Sequence, residues 1–236
     1  MKWLVLLEDV EKSDFDNLSN LLRSSDEFSL ITDNSKYYLT SSRWESLTNH
    51  SAVYWEATKP LRDISAVARI KFTDFPLLKP DIIREVDEEG KRKRWVALSA
   101  TISVDSSSFS IQLEGGQDII PILEFESWMK LAEEDEIVKN VFRQITEFDH
   151  NWINLYKVYE IVEKNAGKKK IEQWITKDKI RQFKHTANSQ SAIGDDARHG
   201  VDHNDPPKEP MSLYEADALI MTLLQKWLQW KCEQQK

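Results

Sequence analysis

The chain has 236 residues and a formal charge of −8, with 40% apolar and 31% charged residues. This composition supports one large or two modest globular domains without disulfides or a structural metal. The acidic balance repels bulk nucleic acid and anionic membranes. The single cysteine, Cys232, excludes an internal disulfide and a cysteine-built zinc site, so a reducing, cytoplasmic setting is expected.

Trp3–Leu7 is a short apolar run followed at once by Glu8, Asp9 and Glu11, which reads as a strand rather than a signal sequence. No stretch has the length of a membrane-spanning helix, so no membrane partner is expected. Asp14–Leu22 has helical spacing through Phe15, Leu18, Leu21 and Leu22. Phe28–Thr32 and Lys36–Thr40 are strand-like, with an Asx turn between them at Asp33-Asn34. Ser51–Leu61 is helical and limited by Pro60, and Ala66–Phe72 is a strand candidate. Asp81–Val86 and then Arg94–Val104, with strict alternation from Val96 to Val104, give further strands. Phe109, Ile111 and Leu113 repeat that period. The links are too short for parallel crossovers, so the sheet is antiparallel.

Gly115-Gly116 closes the β region, and helices follow. They are expected at Ile122–Leu131, at Glu134–Phe148, from an Asp149 cap through Val162 to a stop at Gly167, and from a Thr176 cap to Lys184. Ser189–Pro210 is a long polar stretch with glycines and prolines. Ser212-Leu-Tyr-Glu215 is a capping box for a last helix reaching about Lys231. The fold class is therefore α+β: an N-terminal antiparallel sheet with helices over residues 1–116, and a C-terminal all-α bundle over 117–236.

No phosphate-binding glycine loop, nucleophile elbow or helical histidine pair is present. The nine tryptophans, including the Trp227 and Trp230 pair, read as interface filling. Lys91–Arg94 and Lys168–Lys170 can contact phosphates, but both also suit solvated turns. The densest cluster of reactive types surrounds the long loop: His185, Asn188, Asp195, Asp196, Arg198, His199, Asp202, His203 and Asp205. Arg198 beside His199 joins a fixed cation to a group that titrates near neutrality, a pair able to hold a phosphodiester and move a proton. The competing reading has these residues folding the loop, with Arg198 paired to Asp195 or Asp196 or to loop carbonyls. The spacing matches no standard metal site, so neither metal nor cofactor is expected.

The back half carries Trp152-Ile-Asn-Leu-Tyr-Lys-Val-Tyr-Glu160, Phe183-Lys-His-Thr-Ala-Asn188, Gly194-Asp-Asp-Ala-Arg-His-Gly200 and Pro210-Met-Ser-Leu-Tyr-Glu-Ala216 before a Trp-rich helix. This layout resembles a group of uncharacterised bacterial proteins. More distantly it is similar to the HEPN superfamily and the C-terminal domains of abortive-infection proteins. The resemblance implies an all-α bundle that often dimerises. In active members it also implies metal-independent RNA cleavage by an Arg-x4-6-His motif. Arg198 and His203 meet that spacing, but the match spans Gly200 and so is not helical as in active members. Arg43…His50 and Arg143…His150 meet the same spacing. Two expectations follow from the resemblance. The first is a prokaryotic binding or regulatory protein with a non-catalytic HEPN-like bundle, an accessory of antiviral defence or stress response, acting on a protein partner or as a homodimer. The second is a HEPN-type ribonuclease with Arg198, His199 and His203 as catalytic groups and RNA as substrate. In either case His185, Asn188, Asp195 and Asp196 are the candidate binding residues.

Overall fold

A computed structural model describes residues 2–23, 25–33, 35–72, 74–86, 92–96, 122–201 and 205–235. The chain is α+β and divides into two compact units. One comprises Met1–Leu61 with Leu78–Phe125, and the other Arg62–Leu77 with Glu126–Lys236.

The first unit is built on a sheet. Its strands are β1 (Lys2–Leu6), β2 (Phe28–Asp33), β3 (Lys36–Ser41), β4 (Ile82–Val86) and β5 (Arg92–Val96), in the order β2-β3-β1-β4-β5. Every pairing is antiparallel. The apolar run at the start of the chain takes the central position. Trp3 to Leu6 are all buried, as a strand covered on both faces requires. The β2–β3 hairpin pairs Asp33 with Lys36, and Ser35 takes the positive φ of 60° that so tight a reversal needs. Leu4, Leu6, Tyr38 and Ile82 form one core cluster of the sheet. The buried indole of Trp3 donates to the Leu47 carbonyl at 3.0 Å, so its polar edge is satisfied. Helix α1 (Lys12–Leu22) buries Leu18, Leu21 and Leu22. The alternating residues from Ala97 to Val104, and Phe109 to Leu113, lie outside the described residues.

Helix α2 (His50–Lys71) overturns two local expectations. It runs through Pro60, and the span Ala66–Phe72 is its C-terminal end rather than a strand. Pro60 has no N–H for the carbonyl one turn back, so the helix forgoes a bond there. What holds it beyond that point is burial on nearly every side: Ile64, Ser65, Ala66, Val67, Ala68 and Ile70 are all at most 1% exposed. A helix covered all round shows no amphipathic period, and Ala66, Ala68 and Ile70 then alternate with Val67, Arg69 and Lys71 as they would in a strand.

The second unit is helical. After the end of α2 it contains α3 (Ile122–Glu134, the unit taking it from Glu126), α4 (Glu136–Glu147), α5 (Trp152–Ala166), α6 (Lys168–Trp174), α7 (Lys177–Ala187), the short α8 (Gln190–Ile193) and α9 (Leu213–Gln234). Helix α4 buries Val138, Val141, Phe142 and Ile145 along one stripe. Asn151, not Asp149, caps α5, its side chain accepting from the Asn154 amide. Gly167 ends α5 at a φ of 84°, where a side chain would be strained, and the Lys168–Lys170 run opens α6 instead of trailing into a turn. Thr176 caps α7, and the Ser212–Glu215 capping box starts α9. Trp227 is fully buried and donates to Asn165 at 2.8 Å, while Trp230 packs against Trp174.

Among the described residues no helix is long and apolar enough to cross a membrane.

Candidate functional site

The loop after α7 is strapped down from several points. The Met211 backbone amide donates to Thr186 Oγ1 at 3.0 Å, Gln182 Nε2 to the Glu209 carbonyl at 3.0 Å, and the Arg198 backbone amide to the Ala187 carbonyl at 2.9 Å. His185, in the last turn of α7, sets Nε2 2.7 Å from the Asp205 carbonyl, so that nitrogen is its donor. Asn188, the C-cap of α7, donates Nδ2 to the Lys184 carbonyl at 2.7 Å and leaves its buried Oδ1 without a partner among the described residues. Asp195 and Asp196 are exposed in the 3-10 turn Gly194–Asp196. His199 is half-buried. His203 and Asp202 lie outside the described residues.

Arg198 departs from expectation. Its salt bridge runs to Glu160 of α5, Nη2 to Oε1 at 2.9 Å, and not to Asp195 or Asp196. Its guanidinium also lies over the Tyr156 ring at 4.5 Å. A second cation repeats this pattern one turn along α5. Lys184 lies over Tyr159 at 5.1 Å and pairs with Glu163 at 3.5 Å. Both tyrosine–glutamate pairs are spaced i, i+4, which places ring and carboxylate on one helix face. Phe183 packs behind them, stacked on Tyr156 with ring centroids 5.8 Å apart and in contact with Tyr159 and Trp152. Burial and the hydrogen bond to Glu163 push the Tyr159 phenol well above its usual range. Planar guanidinium on an aromatic face, with a carboxylate at its edge, suits Arg198 to fastening a loop.

Beside this surface, a groove of about 670 Å³ is lined by Lys168, Lys177, Arg181, Lys184, Glu163 and Glu172, with Ile180, His185 and Asn188 completing it. Lys177 pairs with Glu172, Lys184 with Glu163, and Arg181 with Asp178 beside the groove.

A second constellation, which sequence spacing did not single out, lies in the helical unit around a cavity of about 370 Å³. His150, after α4, holds Nδ1 2.8 Å from Asp217 Oδ1 of α9 and Nε2 3.1 Å from the Ile145 carbonyl of α4. The first contact has ion-pair distance, although Oδ1 falls outside the angular range of a well-formed hydrogen bond. Arg69 of α2 donates Nη1 to the same Ile145 carbonyl at 2.9 Å and Nε to the Phe75 carbonyl at 2.8 Å. Burial lowers the Arg69 guanidinium against the opposing pull of Asp217 and Asp74. The contact with Asp217 raises His150 above the ordinary histidine value of 6.5, against burial and the Arg69 charge. Histidine against aspartate resembles an acid–base dyad in composition. Here Nε2 is turned onto a backbone carbonyl, so it does not face the cavity as a base. Sequence reading weighed His150 only through its spacing from Arg143. His150, Arg69 and Asp217 come from three separate segments, and no local pattern connects them.

No group of three or more histidine, cysteine or carboxylate side chains is placed to hold a metal ion among the described residues. Compared with family models, curated proteins and solved structures, the chain matches none.

Proposed function

We propose that the protein is a non-catalytic binding or regulatory module, whose helical unit presents the loop before α9 and the adjoining α5–α7 surface to a partner. One observation carries this reading. Arg198, the cation a phosphodiester-cleaving site would need free, is committed to Glu160 and Tyr156 and holds the loop to α5. His185 is committed in the same way to the Asp205 carbonyl. The partner is a protein or a second copy of this chain meeting the bundle, in the cytoplasm. The sequence resemblance to the HEPN superfamily suggests an accessory role in prokaryotic antiviral defence or stress response.

The test is incubation of the purified protein with a cellular RNA pool, without metal, beside Arg198→Ala and His199→Ala. The expected result is intact RNA in all three. Arg198→Ala should lose roughly 1 kcal/mol of stability, from a half-exposed cation–π contact and a surface ion pair. Cleavage by the wild type that both folded variants lose overturns the proposal in favour of the ribonuclease reading.

A further inference from the structure

The surroundings of His150 set a proton count. A neutral imidazole carries one N–H and one lone pair. Both His150 nitrogens face acceptors, the Asp217 carboxylate at 2.8 Å and the Ile145 carbonyl at 3.1 Å. Only the imidazolium can donate toward both. The bond to Ile145 keeps a proton on Nε2, so the neutral ring leaves the Nδ1 lone pair 2.8 Å from a carboxylate oxygen, and a second proton turns that contact into an ion pair.

The location makes that proton mechanically consequential. Ile145 lies in the last turn of α4, whose carbonyls have no helical partner. Helix α4 ends at Phe148 in extended backbone, without a glycine cap. Its C-terminal end is instead met by the Arg69 guanidinium from α2 and the His150 imidazole, and the negative end of a helix favours positive charge on both. Asp217 comes from the early turns of α9, just past the capping box and the end of the long loop. His150 therefore joins the end of α4 to the start of α9.

We propose that His150 is a proton-operated latch: when protonated it clamps the C-terminal end of α4 to the first turns of α9, and when neutral it releases one of the two. Five charged groups lie around this cavity. They are Asp217 from α9, Arg69 and Asp74 from the end of α2 and the segment after it, and Glu147 and Asp149 from the end of α4 and the segment after it. Asp217 favours the charged ring and Arg69 opposes it, with Asp217 prevailing. The folded value is raised, so the clamp's contribution is complete below 6.5 and is lost as pH rises through the folded value. The Nε2 bond to Ile145 is the well-formed one, so the neutral ring keeps it and gives up Asp217, which frees the start of α9 and the loop exit while α4 remains capped by Arg69 and His150. The latch stands independently of what the loop surface binds.

The test is a pH titration by NMR of the full chain, reading the ring nitrogens of His150 and the exchange protection of amides in the first two turns of α9. Both ring nitrogens should be protonated at pH 6.5 and titrate above it. Protection of early α9 should fall several-fold through the same midpoint. His150→Gln, whose amide does not titrate, should abolish that pH step, and Asp217→Asn should lower the midpoint. A His150 ring already carrying a lone pair at pH 6.5 overturns the latch, and so does an α9 step that persists in His150→Gln. If His150→Gln fails to fold, the wild-type ring titration decides alone.

Discussion

Asp135 shows how much one side chain at a helix start can carry. Its Oδ1 accepts from the Ile137 and Val138 amides at 2.8 and 3.2 Å, which caps α4, and its Oδ2 meets Lys231 Nζ of α9 at 2.6 Å. Burial pushes this carboxyl up, but the lysine and the two amides outweigh it and hold it below its ordinary value of 3.8. Lys231 is only 11% exposed, so the pair is shielded from solvent more than most surface ion pairs. Asp135→Asn keeps the cap and loses the charge, whereas Asp135→Ala loses both and leaves a largely buried ammonium without its carboxylate. Urea unfolding should show a loss of about 1 kcal/mol for Asp135→Asn and about 2–3 kcal/mol for Asp135→Ala. Equal losses would show that the cap adds nothing to the ion pair, and no loss for Asp135→Asn would show that the ion pair adds nothing to the cap.

At the scale of elements, α9 and α2 mark what sequence does and does not reveal. The start of α9 was legible because a capping box is a local pattern, Ser212 and Glu215 spaced to exchange hydrogen bonds, and both bonds form. Helix α2 was cut short because Pro60 is a local breaker, and its continuation depends on burial that no window of sequence contains. In the sequence the lysines after Gly167 suit a solvated turn, because glycine there stops α5. That the same glycine also opens α6 is a matter of how Ile171 is buried. The candidate site divides in the same way. Arg198 and His185 were found as reactive types in a polar loop, but their commitment to Glu160, Tyr156 and Asp205 is set by packing. Pro60 offers a direct check. An interior proline costs on the order of 3 kcal/mol relative to alanine. Pro60→Ala restores the missing N–H and should raise the thermal midpoint, with a gain of about 1–3 kcal/mol in unfolding free energy. A loss of stability would mean that the Pro60 ring, half-buried, packs better than the restored bond compensates.

For the whole molecule, carboxyl shifts of opposite sign should make the two units answer acid below pH 6 in opposite directions. In the sheet unit, a hydrogen bond with Asp81 followed by burial raises Glu8 above its ordinary value of 4.5, and burial raises Asp14 above 3.8. A carboxyl whose folded value is raised favours the folded state when protonated, so the sheet unit gains stability as pH falls through these values. In the helical unit Asp135 is held low, and Glu215 is lowered by its bonds to Ser212. Their contributions are present above 3.8 and 4.5 and are lost as pH falls through the folded values. Residue-resolved hydrogen exchange between pH 6 and pH 3.5, corrected for intrinsic rates, should therefore diverge. Amides of β1 and β4 should gain protection while those of α4 and the start of α9 lose it. Glu8→Gln should flatten the gain in the sheet, because it removes the shared proton with Asp81. Parallel loss in both units would show that overall charge repulsion, from a chain turning strongly positive in acid, outweighs these local proton sites.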